Sequence, residues 1–222
     1  MFDHLWLPRA VSTYAPRIDF LFTLIFWIVA AVWVLVTLIM IVFLLRYRSR
    51  PGRKAAYIEG NPWLEAVWTL VTAAILIGLA LLSRSSWAAI KEGGPPGQVF
   101  YKVNARQFNW EITYPGPDGR LGTADDVVSE NDFHVPVGQV VRFTLTSKDV
   151  IHSFFVPALR LKQDAVPGRE IQVWFEATRV GQYEIPCAEL CGFGHSGMKG
   201  TLYVQTPADY QSWLKQFYAG NR

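Results

Sequence analysis

The sequence predicts an α+β membrane protein, a two-helix transmembrane hairpin followed by a β-sandwich or Greek-key β-barrel. Three observations predict it. Phe20 to Leu45 is a run of 26 residues without a charge. A second apolar run, Trp63 to Leu82, contains a single charge, Glu65. After Ser83 the texture changes to short β-rich runs broken by Gly, Pro and Asp. The bulk composition agrees: 51% of the residues are hydrophobic and the mean hydropathy is +0.17. That is too apolar for an ordinary soluble chain and too polar for a polytopic one.

A helix needs about 20 apolar residues to cross the hydrocarbon core, and both runs meet that length. The loop between them carries Arg46, Arg48, Arg50, Arg53 and Lys54. The outer flanks carry only Arg9 and Arg17 before the first run, and Arg84 and Lys91 after the second. The positive-inside rule therefore places the short loop in the cytoplasm and both termini on the opposite, extracytoplasmic face of the cell membrane. Residues 1–18 lack the apolar h-region of a cleavable signal peptide, so none is expected. The expected organisation is a helical hairpin over residues 1–92 (spans 20–45 and 63–82), a linker at 93–98 containing GGPPG, and a second domain at 99–222.

Six runs in the second domain read as strand-forming: 98–114, 134–147, 151–159, 170–178, 181–187 and 200–206. Alternation is plain in Val141-Arg142-Phe143-Thr144-Leu145-Thr146 and in Ile171-Gln172-Val173-Trp174-Phe175-Glu176. A short helix is expected to close the chain, capped by Thr206, with Pro207 in its first turn and Asp209 three residues after the cap. The acidic stretch Tyr114 to Asp132 lacks the twelve-residue spacing of an EF-hand and reads as a solvated connection.

The chemistry concentrates in Cys187-Ala-Glu-Leu-Cys191-Gly-Phe-Gly-His195-Ser-Gly-Met198, with His152 35 positions upstream of Cys187. Two thiols, two imidazoles and a thioether form a soft donor set that favours copper over hard cations. One cysteine in such a set describes a mononuclear site; a second supplies two thiolates that can bridge two copper ions, each taking one histidine. The alternatives are a Cys187–Cys191 disulfide, a zinc site (for which Met is a poor ligand) and a thioredoxin-type copper-delivery site.

On these residues the chain resembles subunit II of haem–copper cytochrome c oxidases over nearly its whole length. The resemblance rests on the helical hairpin, the segment SKDVIHSFFVPALRLKQDAVPGR (147–169) and the loop CAELCGFGHSGM. It implies a cupredoxin-like β-barrel holding a dinuclear copper (CuA) centre. Cys187 and Cys191 then match the bridging thiolates, His152 and His195 the terminal imidazoles, and Met198 a weak ligand. Glu189 matches the residue whose backbone carbonyl is a further weak ligand and whose side chain reaches a magnesium or manganese ion shared with subunit I. The implied function is electron entry to a respiratory oxidase: cytochrome c, or a dedicated membrane-bound cytochrome, delivers electrons that pass to haem in subunit I for oxygen reduction coupled to proton pumping. The implied partners are subunit I, the other oxidase subunits and membrane lipid; no nucleic-acid partner is expected. Both cysteines are committed and no C-x-x-C-H occurs, so this chain is expected to bind no haem.

Glu65 matches a carboxylate at the mouth of a proton-uptake path into subunit I; the plainer reading is a carboxylate reaching the interface. Where the family has a Pro three residues past Thr69, this chain has Thr72, so a straighter helix is expected there. Phe108 falls where relatives place the surface Trp that receives electrons, and Trp110 matches a second aromatic near the copper; barrel packing is the alternative for Phe108. Lys148 replaces an acidic residue of the usual docking face. The charge from Val99 onward is nearly balanced, which favours a donor other than a strongly basic soluble cytochrome. His134 reads as structural and His4 receives no role. Asp149 and Asp164 flank the segment around His152, and the resemblance places Asp164 near subunit I. The alternative functions are the copper subunit of a nitric oxide reductase and a stand-alone membrane-anchored copper carrier or chaperone. A quinol oxidase subunit normally lacks the copper ligands, and nitrous oxide reductase lacks the hairpin.

Overall fold

A computed structural model describes residues 7–91, 94–96 and 99–220. His4 lies outside them, and of the linker only residues 94–96 are described. The chain divides into a helical unit, residues 17–88, and a β-rich unit formed by the N-terminal residues up to Pro16 together with residues 89–222.

In the helical unit, α1 (Ala15–Tyr47) and α2 (Pro62–Lys91) are both long and apolar enough to cross a membrane. Their apolar side chains, such as Trp33, Leu45, Leu70 and Leu81, are exposed in the isolated chain. Apolar and unburied over such lengths, they need lipid or other membrane-embedded protein as solvent. Both helices extend beyond the apolar runs, which places charged residues at their ends. At the α1 end, the Arg53 guanidinium donates to the Arg46 carbonyl at 2.8 Å and lies over the Tyr47 ring. Asn61 caps α2, its Oδ1 accepting from the Trp63 and Leu64 amides at 3.1 and 3.2 Å, with Pro62 in the first position. α2 runs unbroken through Thr72.

The β-rich unit contains β1 (Val99–Arg106), β2 (Asn109–Tyr114), β3 (Val127–Glu130), β4 (Asp132–Pro136), β5 (Val140–Ser147), β6 (His152–Val156), β7 (Leu161–Ala165), β8 (Ile171–Glu176), β9 (Gly181–Pro186), β10 (Lys199–Gln205) and α3 (Pro207–Gly220). One sheet has the order β3-β2-β1-β5-β8, a second β4-β10-β9, and β6-β7 form a ribbon. β1 pairs with β5 and β10 with β4 in parallel, while the other pairs are antiparallel. This is a sandwich of open sheets with a cupredoxin-like arrangement rather than a closed barrel.

Alternation dictates the core. In β2, Trp110, Ile112 and Tyr114 point inward while their neighbours are partly exposed. Phe133 of β4 sits at the middle, its ring centroid 5.1 Å from Tyr101, 5.8 Å from Phe143, 6.2 Å from Phe175 and 6.4 Å from both Tyr114 and Phe154. Rings from both sheets and the ribbon thus meet edge to face. Trp110 continues the cluster, 5.3 Å from Phe154 and 6.2 Å from His152, and its indole N–H donates to the Ile185 carbonyl at 3.2 Å.

Residues before the first helix join this unit rather than the helical hairpin to which the sequence assigns 1–92. Val11 N–H donates to Ala158 O and Thr178 N–H to Val11 O, both at 2.8 Å, and Ser12 bridges to Ala177. Tyr14 packs edge-on against Trp174, whose indole donates to the Ile90 carbonyl at the end of α2. The sequence shows no sign of this addition, because its partners lie about 150 residues away.

Thr206 caps α3, its hydroxyl accepting from the Asp209 amide at 3.2 Å and donating to the Asp209 carboxylate at 2.6 Å. The helix docks through His134, whose imidazole is stacked between Tyr203 at 4.3 Å and Trp213 at 3.9 Å and meets Gln205 Oε1 through Nδ1 at 3.1 Å. This structural setting fits the role the sequence suggests. Burial pushes its pKa below the usual histidine range, against smaller opposing effects of Gln205 and Asp132. The unfolded chain therefore takes up the proton first as pH falls below about 6.5. Relative stability declines from there down to the folded-state pKa, by about 1.4 kcal/mol for each pH unit between the two values. Thermal unfolding of the full chain from pH 7.5 to 5 is expected to show a steeper loss of midpoint for wild type than for His134→Gln. Parallel profiles would refute the assignment.

Candidate metal centre

Topology builds the site. β1 and β5 run parallel in register, with Ala105 opposite Ser147, so both end at the same edge of the sheet. The turn after β5 leads into β6, which begins at His152, and the bridge between Phe154 and Cys187 brings the end of β9 alongside. Cys187 N–H donates to Met198 O at 3.0 Å and Ala188 N–H to Ser153 O at 3.0 Å, so the loop from Cys187 to Met198 closes on itself over β6. A short 3-10 turn, 195–197, carries His195.

The loop brings the six sequence-predicted donors together. The Cys187 and Cys191 sulfurs are 3.9 Å apart, about twice a disulfide bond length, and both cysteines are free. His152 Nδ1 lies 3.9 Å from Cys187 Sγ and 3.2 Å from Met198 Sδ. Met198 Sδ lies 3.8 Å from Cys191 Sγ, and His195 Nδ1 lies 3.5 Å from Cys191 Sγ. The Cys187 thiol donates to the Glu189 carbonyl at 3.2 Å, while the Glu189 side chain is exposed. The donor atoms of His152, Cys187 and Cys191 all lie within 4.8 Å of one another, and all three residues are buried. His195 is half-buried at the rim.

The electrostatics fit a soft cation. Burial, and then the neighbouring Cys187, push the Cys191 thiol up to about 11. A buried Cys191 thiol that resists ionisation beside a second buried sulfur is a poor arrangement for an apo-protein and a good one for a metal that stabilises thiolates. Asp149 is poised oppositely. Burial alone would raise its pKa, but the Gln107 amide, the His152 ring and the Val150 amide outweigh that and hold it down to about 2. Its Oδ1 meets His152 Nε2 at 2.8 Å.

The aromatic residues Trp110 and Phe108 flank this loop. Trp110 is buried edge-on to His152. Phe108 is exposed, with its ring against the loop backbone. A Cβ at Gly194 would lie 2.5 Å from that ring, and one at Gly192, where φ is +135°, would lie 2.7 Å from Gln107 Nε2. Glycine at both positions thus lets the loop pass under residues 107–108. Phe193 between them is fully exposed. Lys148 pairs with Glu111, which Arg106 also engages at 2.7 Å, and Arg106 holds Glu130 at 2.7 Å. Asp164 accepts from Ser153 at 2.7 Å and from Lys162 at 3.1 Å. Glu65 lies in the first turn of α2, a position favourable to a carboxylate. The sequence reading did not find Gln107 or the Asp149–His152 contact; an Asp three residues before a candidate histidine ligand is the available signal.

A model of the cytochrome c oxidase subunit II transmembrane domain matches residues 2–85, and one of its periplasmic domain matches residues 105–204. The chain is 34% identical to the alternative cytochrome c oxidase subunit 2 of Bradyrhizobium diazoefficiens, over 95% of this chain and 83% of that one. It is 31% identical to the cytochrome c oxidase subunit 2 of Thermostichus vulcanus, over 96% of this chain and 79% of that one. Among solved structures, the periplasmic domain of subunit II of the cytochrome oxidase of Bradyrhizobium japonicum aligns with a TM-score of 0.51 and 30% identity, covering 57% of this chain and 97% of that one.

Proposed function

Because the chain belongs to the cytochrome c oxidase subunit II family, we propose that its metal centre is a dinuclear copper site through which electrons enter a haem–copper oxidase. The observation that carries the reading is the convergence of two unlinked buried sulfurs with two imidazole Nδ1 atoms and a thioether. Cys187, Cys191, His152, His195 and Met198 would hold the copper through their sulfur and Nδ1 atoms, with the Glu189 carbonyl as a further donor. When bound, the copper would supply one-electron redox chemistry.

The chain's own part is to hold these donors in place and keep them dry. His152, Cys187, Cys191 and Met198 are buried, and Trp110 closes the floor beneath His152. Phe108 covers the loop on its exposed side, where an electron donor can approach. The nearby carboxylates of Glu111 and Glu130 are engaged by Arg106 and Lys148. That pairing supports a dedicated, membrane-bound cytochrome as donor over a strongly basic soluble one. The exposed Glu189 carboxylate is free to reach a magnesium or manganese ion shared with subunit I. Glu65, at the start of α2, marks the proton-uptake side. The basic loop faces the cytoplasm, and the β-rich unit, with residues 99–222 as the copper domain, faces the periplasm.

Purification of the chain with its membrane partners tests the reading. The expected result is two copper ions per chain, a mixed-valence signal with two equivalent coppers, and haem bands from the copurifying subunit. A single-copper signal would sink the dinuclear centre. Absence of any haem partner would favour a copper carrier.

A further inference from the structure

We propose that Asp149 and Gln107 are positioning residues of the copper centre, fixing His152 and the Cys191 loop in the geometry that accepts the metal. This rests on the dinuclear-copper reading above. Histidine offers two ring nitrogens, and only one can face the sulfurs. Asp149 Oδ1 lies 2.8 Å from His152 Nε2, and an ionised carboxylate only accepts. Nε2 therefore carries the proton, and the Nδ1 lone pair is directed toward Cys187 Sγ and Met198 Sδ.

Asp149 is itself held from several sides. The Gln107 amide donates to Oδ2 at 2.7 Å and the Val150 amide to Oδ1 at 2.7 Å, while the Ser147 hydroxyl lies 3.4 Å from Oδ1. Gln107 also turns the other way: its side-chain amide donates to the Cys191 carbonyl at 2.6 Å. One residue thus ties the partner of one imidazole ligand to the backbone of a cysteine ligand. It can do so because the parallel β1–β5 pairing ends both strands beside the copper loop. The clamp lies next to Phe108, so the surface segment that a donor would touch is hydrogen-bonded to both halves of the ligand set.

The test uses the full-length chain in detergent, loaded with copper, as wild type, Asp149→Ala, Asp149→Asn, Gln107→Ala and the control Lys102→Ala. Three readouts are taken: the rate of copper loss to a chelator, the copper hyperfine pattern and the midpoint potential. Asp149→Ala is expected to lose copper about 10–100-fold faster and to show an altered hyperfine pattern. Asp149→Asn keeps an acceptor for Nε2–H, so it retains the pattern, but removal of the negative charge raises the midpoint potential. Gln107→Ala is expected to release copper several-fold faster with the potential little changed. Lys102, in an exposed pair with Glu170, should behave as wild type. If Asp149→Ala does not fold, the Asn and Gln107 variants carry the comparison. Wild type that loads two coppers, with variants matching Lys102→Ala in every readout, overturns the proposal. Wild type that binds no copper pair overturns both it and the reading beneath it.

Discussion

On the proposed dinuclear centre, replacing Cys191 with serine is expected to cut the bound copper from two ions to one and to abolish the mixed-valence signal. Cys191 Sγ lies within 4 Å of three other donors: His195 Nδ1 at 3.5 Å, Met198 Sδ at 3.8 Å and Cys187 Sγ at 3.9 Å. It links the His195 side of the cluster to the His152 side. A serine hydroxyl is harder, smaller and far less acidic than a thiol, so it cannot supply a soft bridging anion. The remaining Cys187, His152 and Met198 still form a set suited to one copper. The loop should keep its fold, because its closing hydrogen bonds, Cys187 N–H to Met198 O and His195 N–H to Gly192 O, are made by backbone. Metal analysis with electron paramagnetic resonance of the purified complex decides the matter. Retention of two coppers and the mixed-valence signal in Cys191→Ser would mean that the thiolates are not the bridge.

The donor set was legible from sequence for the reason that makes it vulnerable to this substitution: most of it is local. Cys187, Cys191, His195 and Met198 fall within one loop, so their spacing alone announces a cluster. What holds the cluster is not local. Asp149 meets Gln107 across 42 residues, and Gln107 meets Cys191 across 84, through a strand pairing that no short window contains. The fold divides the same way. Both membrane helices follow from composition, and β5 and β8 from alternation. β3 and β7 were missed because Val127–Glu130 is short and Leu161–Ala165 is polar without alternation. The run 98–114 reads as one strand, but β1 and β2 form a hairpin reversing at Gln107 and Phe108, where neither Gly nor Pro marks the turn. The added N-terminal segment has no local signature, since its partners lie about 150 residues along the chain.

Phe133→Ala is expected to produce the largest loss of stability, about 3–5 kcal/mol. Phe133 is fully buried and touches rings contributed by β1, β2, β5, β6 and β8. Truncation removes its transfer free energy and leaves a cavity that cannot collapse, because large rings from the five-stranded sheet and the ribbon define its walls. Against a typical domain stability of about 5–15 kcal/mol the loss is a substantial fraction. Phe133→Leu should cost less, since it keeps most of the volume. Phe193→Ala, at a fully exposed ring on the copper loop, should leave stability within about 0.5 kcal/mol of wild type. Denaturant unfolding of the β-rich unit, followed by tryptophan fluorescence in the full chain, ranks the three. A Phe133→Ala midpoint equal to that of Phe193→Ala would contradict the aromatic core. The damage should also reach the metal. Phe133 supports Phe154, Phe154 supports Trp110, and Trp110 is the floor under His152. Loosening the first ring should therefore speed copper release from a site that Phe133 never touches.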